Sequence, residues 1–223
     1  RVYEMNLDQP TADIVEAPAM TEEECAGAIA YGMMAVEPGV DVLALGEMGI
    51  ANTTSAAALA QALFGGEAAD WVGPGTGVAG PALANKREVV AAAVARHADP
   101  GVDSFEKLRR LGGLEIAAIT GAVLAARMGR VPVVLDGYTS TVAAAVLFAV
   151  NPQALDHCIV GHVSAEPGHQ RLLDRIDKAA LFNFGMRLGE GSGATLALGV
   201  LQAAAACHTG MATFAEAGVS GKA

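Results

Sequence analysis

A parallel, doubly wound α/β sheet with flanking helices is the fold class that the sequence predicts, on three observations. Three times an apolar run of strand length gives way to a small polar turn and then a helical run. These are Val40 to Leu45 before Gly46 to Ser55, Val131 to Leu135 before Asp136 to Ser140, and Cys158 to His162 before Ser164 to His169. The composition is 52% apolar, rich in alanine, with 27 glycines, which suits helices packed closely over such a sheet. The length, 223 residues, is enough for one domain with a sizeable core.

The elements follow in order. The first 19 residues are mixed and hold two prolines, with a short strand read from Arg1 to Leu7. Thr21 and Glu24 form a capping box that opens a helix to about Val36, and Glu37-Pro38-Gly39 ends it. The strand Val40 to Leu45 leads through a loop into a helix from Ser55 to Leu63. Gly65 to Gly80 reads as loop, because Gly73-Pro74-Gly75-Thr76-Gly77 is too rich in glycine for a regular element. Helices are read at Pro81 to His97, Ser104 to Leu111 and Leu114 to Met128, the last two parted by Gly112-Gly113. The strand Val131 to Leu135 precedes a helix from Thr141 to Val150. The strand Cys158 to His162 precedes a helix from Gln170 to Ile176. The loop Met186 to Gly193 precedes a helix from Ala194 to Cys207, and the tail from Met211 to Ala223 reads as a short helix and a frayed end.

The loop Gly46-Glu47-Met48-Gly49-Ile50-Ala51-Asn52-Thr53-Thr54-Ser55 is the chain's organising stretch. Backbone N–H groups at the start of a helix lack partners, and the helix dipole favours an anion there. Gly46 and Gly49 permit close approach, while Asn52 and the hydroxyls beside it add donors. Glu47 is a carboxylate beside an anion site, suited to holding a sugar hydroxyl. The spacing is neither that of a Walker loop nor that of a dinucleotide fingerprint, so neither ATP nor NAD follows from it. In a parallel sheet ligands bind beyond the carboxyl ends of the strands, so the turns at Glu47, Asp136, Ser164 and Glu190 should converge on one rim. The loop at Gly75 and the side chain of Lys86 belong near it.

The net charge of −10 and the lack of a basic block argue against nucleic acid as a partner. Three scattered cysteines, Cys25, Cys158 and Cys207, form neither a CxxC nor a zinc spacing, so a reduced cytoplasmic setting is expected, with Cys158 buried and inert. No apolar run reaches membrane-spanning length. The chain opens on Arg1 without a starting methionine, which predicts a fragment.

Six motifs carry a resemblance. They are the Gly46 to Thr54 loop, Gly73-Pro74-Gly75-Thr76-Gly77, Gly112-Gly113-Leu114-Glu115-Ile116-Ala117, Leu135-Asp136-Gly137, the stretch Gly161 to His169, and Arg187-Leu188-Gly189-Glu190-Gly191-Ser192-Gly193. Together, in order and over nearly the whole chain, they resemble the nicotinate-nucleotide–dimethylbenzimidazole phosphoribosyltransferases. The resemblance implies a Rossmann-like core over about residues 20–205 of a single domain, 1–223, with the chain ends forming part of a small helical domain that is incomplete. It implies a homodimer, small-molecule substrates, and no metal or cofactor. The implied reaction moves the 5-phosphoribosyl group of nicotinate mononucleotide onto 5,6-dimethylbenzimidazole, giving α-ribazole 5′-phosphate and nicotinate.

By position, the resemblance makes Glu190 the catalytic base that takes the imidazole proton. It places Glu47, Gly49, Asn52, Gly75, Thr76, Lys86, Gly137, Ser164, Leu188 and Gly191 around the ribose, phosphate and nicotinate, with Lys86 as the phosphate-side cation. Asp136 either holds the ribose or caps the helix that follows it. His162 and His169 are read as structural or rim residues. Three features depart from the pattern. Ala51 stands where glycine is usual, Asn183 stands where aspartate is common, and an N-terminal segment that shapes the base pocket is missing. Weak activity of this chain alone is expected for that last reason. A mononucleotide-binding module without turnover, and a transferase with another acceptor, are the alternatives.

Overall fold

Four short parallel strands carry the fold in the computed structural model, which describes residues 1–220. β1 (Leu43–Leu45), β2 (Val133–Leu135), β3 (Cys158–His162) and β4 (Ala180–Phe182) lie side by side in that order. The register pairs Leu43 with Val133, Val133 with Cys158, and Val160 with Ala180. β1 and β2 are shorter than the apolar runs that encode them. Pro132 has no N–H to give a ladder, and the amide of Val131 is still bonded to Ala126 at the end of the preceding helix. Pairing therefore begins where Leu43 donates to the Pro132 carbonyl at 2.9 Å.

Nine helices of the described residues surround this sheet: α1 (Glu22–Met34), α2 (Asn52–Phe64), α3 (Ala68–Trp71), α4 (Gly80–Arg96), α5 (Ser104–Leu111), α6 (Leu114–Gly129), α7 (Tyr138–Val150), α8 (Pro167–Arg175) and α9 (Ser192–Gly210). A 3-10 turn, Pro152–Leu155, joins α7 to β3. Alternation along the strands sends Leu43, Leu45, Val133, Leu135 and Val160 into a large core shared with α2, α6 and α7. Ala44 and Val134 face the other way, against Ala194 and Ala197 of α9. The fold is thus the expected parallel α/β sheet with helices on both faces.

Small side chains set the spacing of the layers. Ala56, Ala57, Ala58, Leu59 and Ala60 are all fully buried, so α2 runs through the interior rather than over it. At the α1–α6 crossing the backbones nearly touch. A Cβ on Gly32 would lie 1.8 Å from the Ala118 carbonyl oxygen, and one on Gly121 would lie 2.0 Å from that of Ile29.

Four local expectations fail. Residues 1–7 form no strand, because no neighbouring chain pairs with them. The stretch read as loop from 65 to 80 contains α3, whose entry is held by the Glu67 amide donating to Asp70 at 2.8 Å. β4 is an edge strand that the sequence reading omitted. No helix forms in residues 211–220. The remainder of the expected tail helix and frayed end, 221–223, lies outside the described residues. Among the described residues no helix is long and apolar enough to cross a membrane.

Candidate functional site

The loops after β1, β2 and β3 meet the loop before α9 at the carboxyl rim of the sheet. The contact starts in the backbone. The Glu190 amide donates to the Glu47 carbonyl at 3.1 Å. A Cβ on Gly46 would lie 2.1 Å from the Gly191 nitrogen, so only glycine lets the two loops close. Glu190 holds φ of +60°, a left-handed conformation, with its side chain exposed to solvent.

Asp136, at the end of β2, locks this arrangement from below. Its Oδ2 accepts the Gly191 amide at 3.1 Å and its Oδ1 accepts the Ala194 amide at 2.8 Å. Asp136 therefore caps α9. Of the two tasks expected for it, the cap is the one observed, but on a different helix from the one that follows it. At 1% exposure with both oxygens engaged, it lines no open surface. Gly137 begins α7, where a Cβ would sit 3.0 Å from the His162 ring.

Glu47 is the half-buried acid of the rim. The amide of the Asn52 side chain donates to its Oε2. Burial first, and then the neighbouring charges of Glu115 and Asp136, push its carboxyl up to about 7, while bonds from Asn52 and Thr139 pull the other way. Its Oε1 reaches the neighbouring loop, lying 3.4 Å from where a Cβ on Gly189 would be. Gly49 leaves room for Asn52 and Glu115, each with an atom 2.8 Å from where its Cβ would be.

A group of hydrogen-bond donors lies beside these acids. Ala51, in the left-handed conformation at φ +65°, precedes α2 and offers no side-chain cap, so the amides of Asn52 and Thr53 stay open, while that of Thr54 donates to the Ala51 carbonyl at 2.9 Å. Lys86, 9% exposed, reaches the same place and donates to Thr53 Oγ1 at 2.8 Å and to the Gly73 carbonyl at 3.0 Å. Burial pulls the Lys86 ammonium toward deprotonation, and the charge of Glu166 opposes this. Gly75, buried at φ +55°, passes close enough that a Cβ would lie 3.3 Å from Lys86 Nζ. Thr76 next to it is exposed.

Ser164, His162 and His169 lie buried under the rim. The Ser164 amide donates to His169 Nδ1 at 2.8 Å, and its hydroxyl accepts from the Glu166 amide at 3.3 Å. His169 Nε2 bonds Thr141 Oγ1 at 3.1 Å, and Thr141 in turn donates to the Gly137 carbonyl at 2.8 Å. Burial, with the nearby His162, holds the His169 ring down to about 3, so it stays neutral. His162 is 1% exposed and packs against Gly193, where a Cβ would collide at 2.0 Å.

The structure thus brings Glu47, Gly49, Asn52, Glu190 and Gly191 together around one loop contact, and gathers Gly75 and Lys86 beside the start of α2. Leu188 stands exposed on the Glu190 loop, as Met48 does on the facing one. Ser164 and Asp136 are buried beneath them. Sequence reading missed Glu115 and Glu166 as contributors, although both sit inside motifs it singled out. Among the described residues no group of three or more His, Cys, Asp or Glu is placed to hold a metal.

A family model described as phosphoribosyltransferase matches residues 2–219. The nicotinate-nucleotide–dimethylbenzimidazole phosphoribosyltransferase of Rhizobium etli (strain CIAT 652) is 59% identical over 222 residues, covering 100% of this chain and 66% of its own length. That of Sinorhizobium medicae (strain WSM419) is 58% identical over the same span. The crystal structure of CobT from Thermus thermophilus superposes with a TM-score of 0.90 at 42% identity, covering 95% of this chain and 64% of that one. The chain therefore spans about two thirds of the length of the relatives it matches.

Proposed function

This chain belongs to the phosphoribosyltransferase family whose model spans residues 2–219, and from that premise we propose that its strand-end rim transfers the 5-phosphoribosyl group of nicotinate mononucleotide to 5,6-dimethylbenzimidazole. The products are α-ribazole 5′-phosphate and nicotinate. The observation that carries this reading is the bond between the Glu190 amide and the Glu47 carbonyl. It joins the two acidic loops at the rim that also holds the start of α2, where the Lys86 ammonium bonds Thr53.

The parts have chemically distinct tasks. The α2 amides and Lys86 hold the phosphate. As the bond from C1′ to the nicotinate nitrogen breaks, nicotinate leaves with the electron pair and the ribose gains positive charge. The Glu47 carboxylate, held by Asn52, stabilises that charge. The benzimidazole nitrogen attacks from the opposite face, which inverts a β-nucleotide to an α-riboside. The attacking ring must then lose its other N–H proton, and in this reading Glu190, exposed on the rim, accepts it. Leu188 and Met48, 68% and 78% exposed, give the apolar acceptor a surface to cover.

The test is nicotinate release from nicotinate mononucleotide, measured with and without 5,6-dimethylbenzimidazole. Release that depends on the benzimidazole supports the transfer. Release without any acceptor would make the site a hydrolase and overturn it. A second reading, a mononucleotide-binding module without turnover, draws on the solvent exposure of Glu190. It requires that the mononucleotide bind while no nicotinate appears with any benzimidazole. Another acceptor base is the third, distinguished by release that only a different base elicits. The same proposal includes a homodimer, which sedimentation tests, and a reduced cytoplasmic setting, with which the three unpaired cysteines accord.

A further inference from the structure

Glu166 stands at the entrance of α8 without capping it. Its side chain makes no bond to its own helix. It reaches instead across 91 positions, where Oε1 accepts the Gly75 amide at 2.8 Å. The residue is 4% exposed, and its other oxygen, Oε2, is buried without a hydrogen-bond partner. That oxygen fills space that only glycine leaves, since a Cβ on Gly73 would lie 2.3 Å from it.

The same loop holds Lys86. Its ammonium donates to the Gly73 carbonyl on one strand of the loop and to Thr53 on α2. Residues 73–75 are thus gripped by a buried carboxylate on one side and a buried ammonium on the other. Either charge alone would be costly to bury, and across one short loop each offsets the other. Glu166 favours the charged form of Lys86 against the effect of burial.

We propose that Glu166 is a positioning residue that fixes the 73–75 loop and keeps Lys86 at the start of α2, so that loop and lysine together take a phosphate monoester. It acts through Gly75 and Lys86 and touches no substrate. The proposal rests on the reading of that corner as the phosphate end of the donor site.

Calorimetric titration of this chain with nicotinate mononucleotide and with nicotinate riboside, which lacks the phosphate, tests it. The unaltered protein should prefer the mononucleotide. Glu166→Ala should weaken the mononucleotide by roughly tenfold or more, the scale of one hydrogen bond to a charged group, and leave the riboside unchanged. Glu166→Gln keeps an acceptor for the Gly75 amide but not the charge, and should fall between. Should the alanine variant not fold, the glutamine variant decides through the ratio of the two affinities. An equal loss for both ligands, or no loss, would reduce Glu166 to a structural part and overturn the proposal. If the unaltered protein shows no preference for the phosphate, the donor-site reading fails first and the proposal with it.

Discussion

Ala51 shows how a single methyl group records the demands of the site. It begins α2 at φ +65°, where an L side chain costs roughly 1 kcal/mol relative to glycine. Ala51→Gly should therefore raise stability by up to about 1 kcal/mol in urea unfolding; a loss of stability would show that the methyl packs usefully. Glu47 carries a pH prediction. Its carboxyl titrates near 7 when folded against an ordinary 4.5, so folding favours the protonated form. That contribution is complete below the ordinary value and is lost as pH rises through the folded one. Relative to Glu47→Gln, which stays neutral, the unaltered protein should lose up to about 3 kcal/mol across that window, read from unfolding free energies at each pH. A flat difference would place Glu47 in water. The residue types at the rim were legible because each sat in a small polar turn after an apolar run. Their partners were not. Asp136 caps a helix 55 and 58 positions away, and Glu166 reaches 91 positions. Local pattern carries no trace of such pairings.

At the scale of elements, long helices and their order were readable from periodicity, while their entrances were not. α2 begins at Asn52 rather than Ser55, α7 at Tyr138 rather than Thr141, and α8 at Pro167 rather than Gln170, because first turns are made of the same small polar residues as the loops before them. α3 and β4 are too short, at four and three residues, to show any period. The strand expected at residues 1–7 had suitable residues but no partner, and pairing, not propensity, makes a strand. The α1–α6 crossing is the element contact most exposed to test. With the Ile29 oxygen 2.0 Å from a Cβ at Gly121, Gly121→Ala must part the two helices. A loss of about 1–3 kcal/mol in urea unfolding is expected, and a neutral result would mean that α1 shifts freely.

At the scale of the molecule, the parallel sheet explains why one rim collects the chemistry. Every described strand ends on the same side, so the loops after β1, β2 and β3 converge there whatever their distance in sequence. A chain of net charge −10 needs local help to hold an anion there, and the proposed phosphate site draws that help from the open amides of α2 and from Lys86. In the proposed reaction Glu190, on one of those loops, takes the proton that the acceptor ring sheds. The most direct measurement is therefore the product formed from nicotinate mononucleotide and 5,6-dimethylbenzimidazole, by this chain and by its Glu190→Gln variant, with the anomeric configuration assigned by NMR. An α-riboside is expected, with a fall in nicotinate release of about a hundredfold or more in the variant. A β-riboside, or release that the variant leaves unchanged, would contradict the proposed reaction.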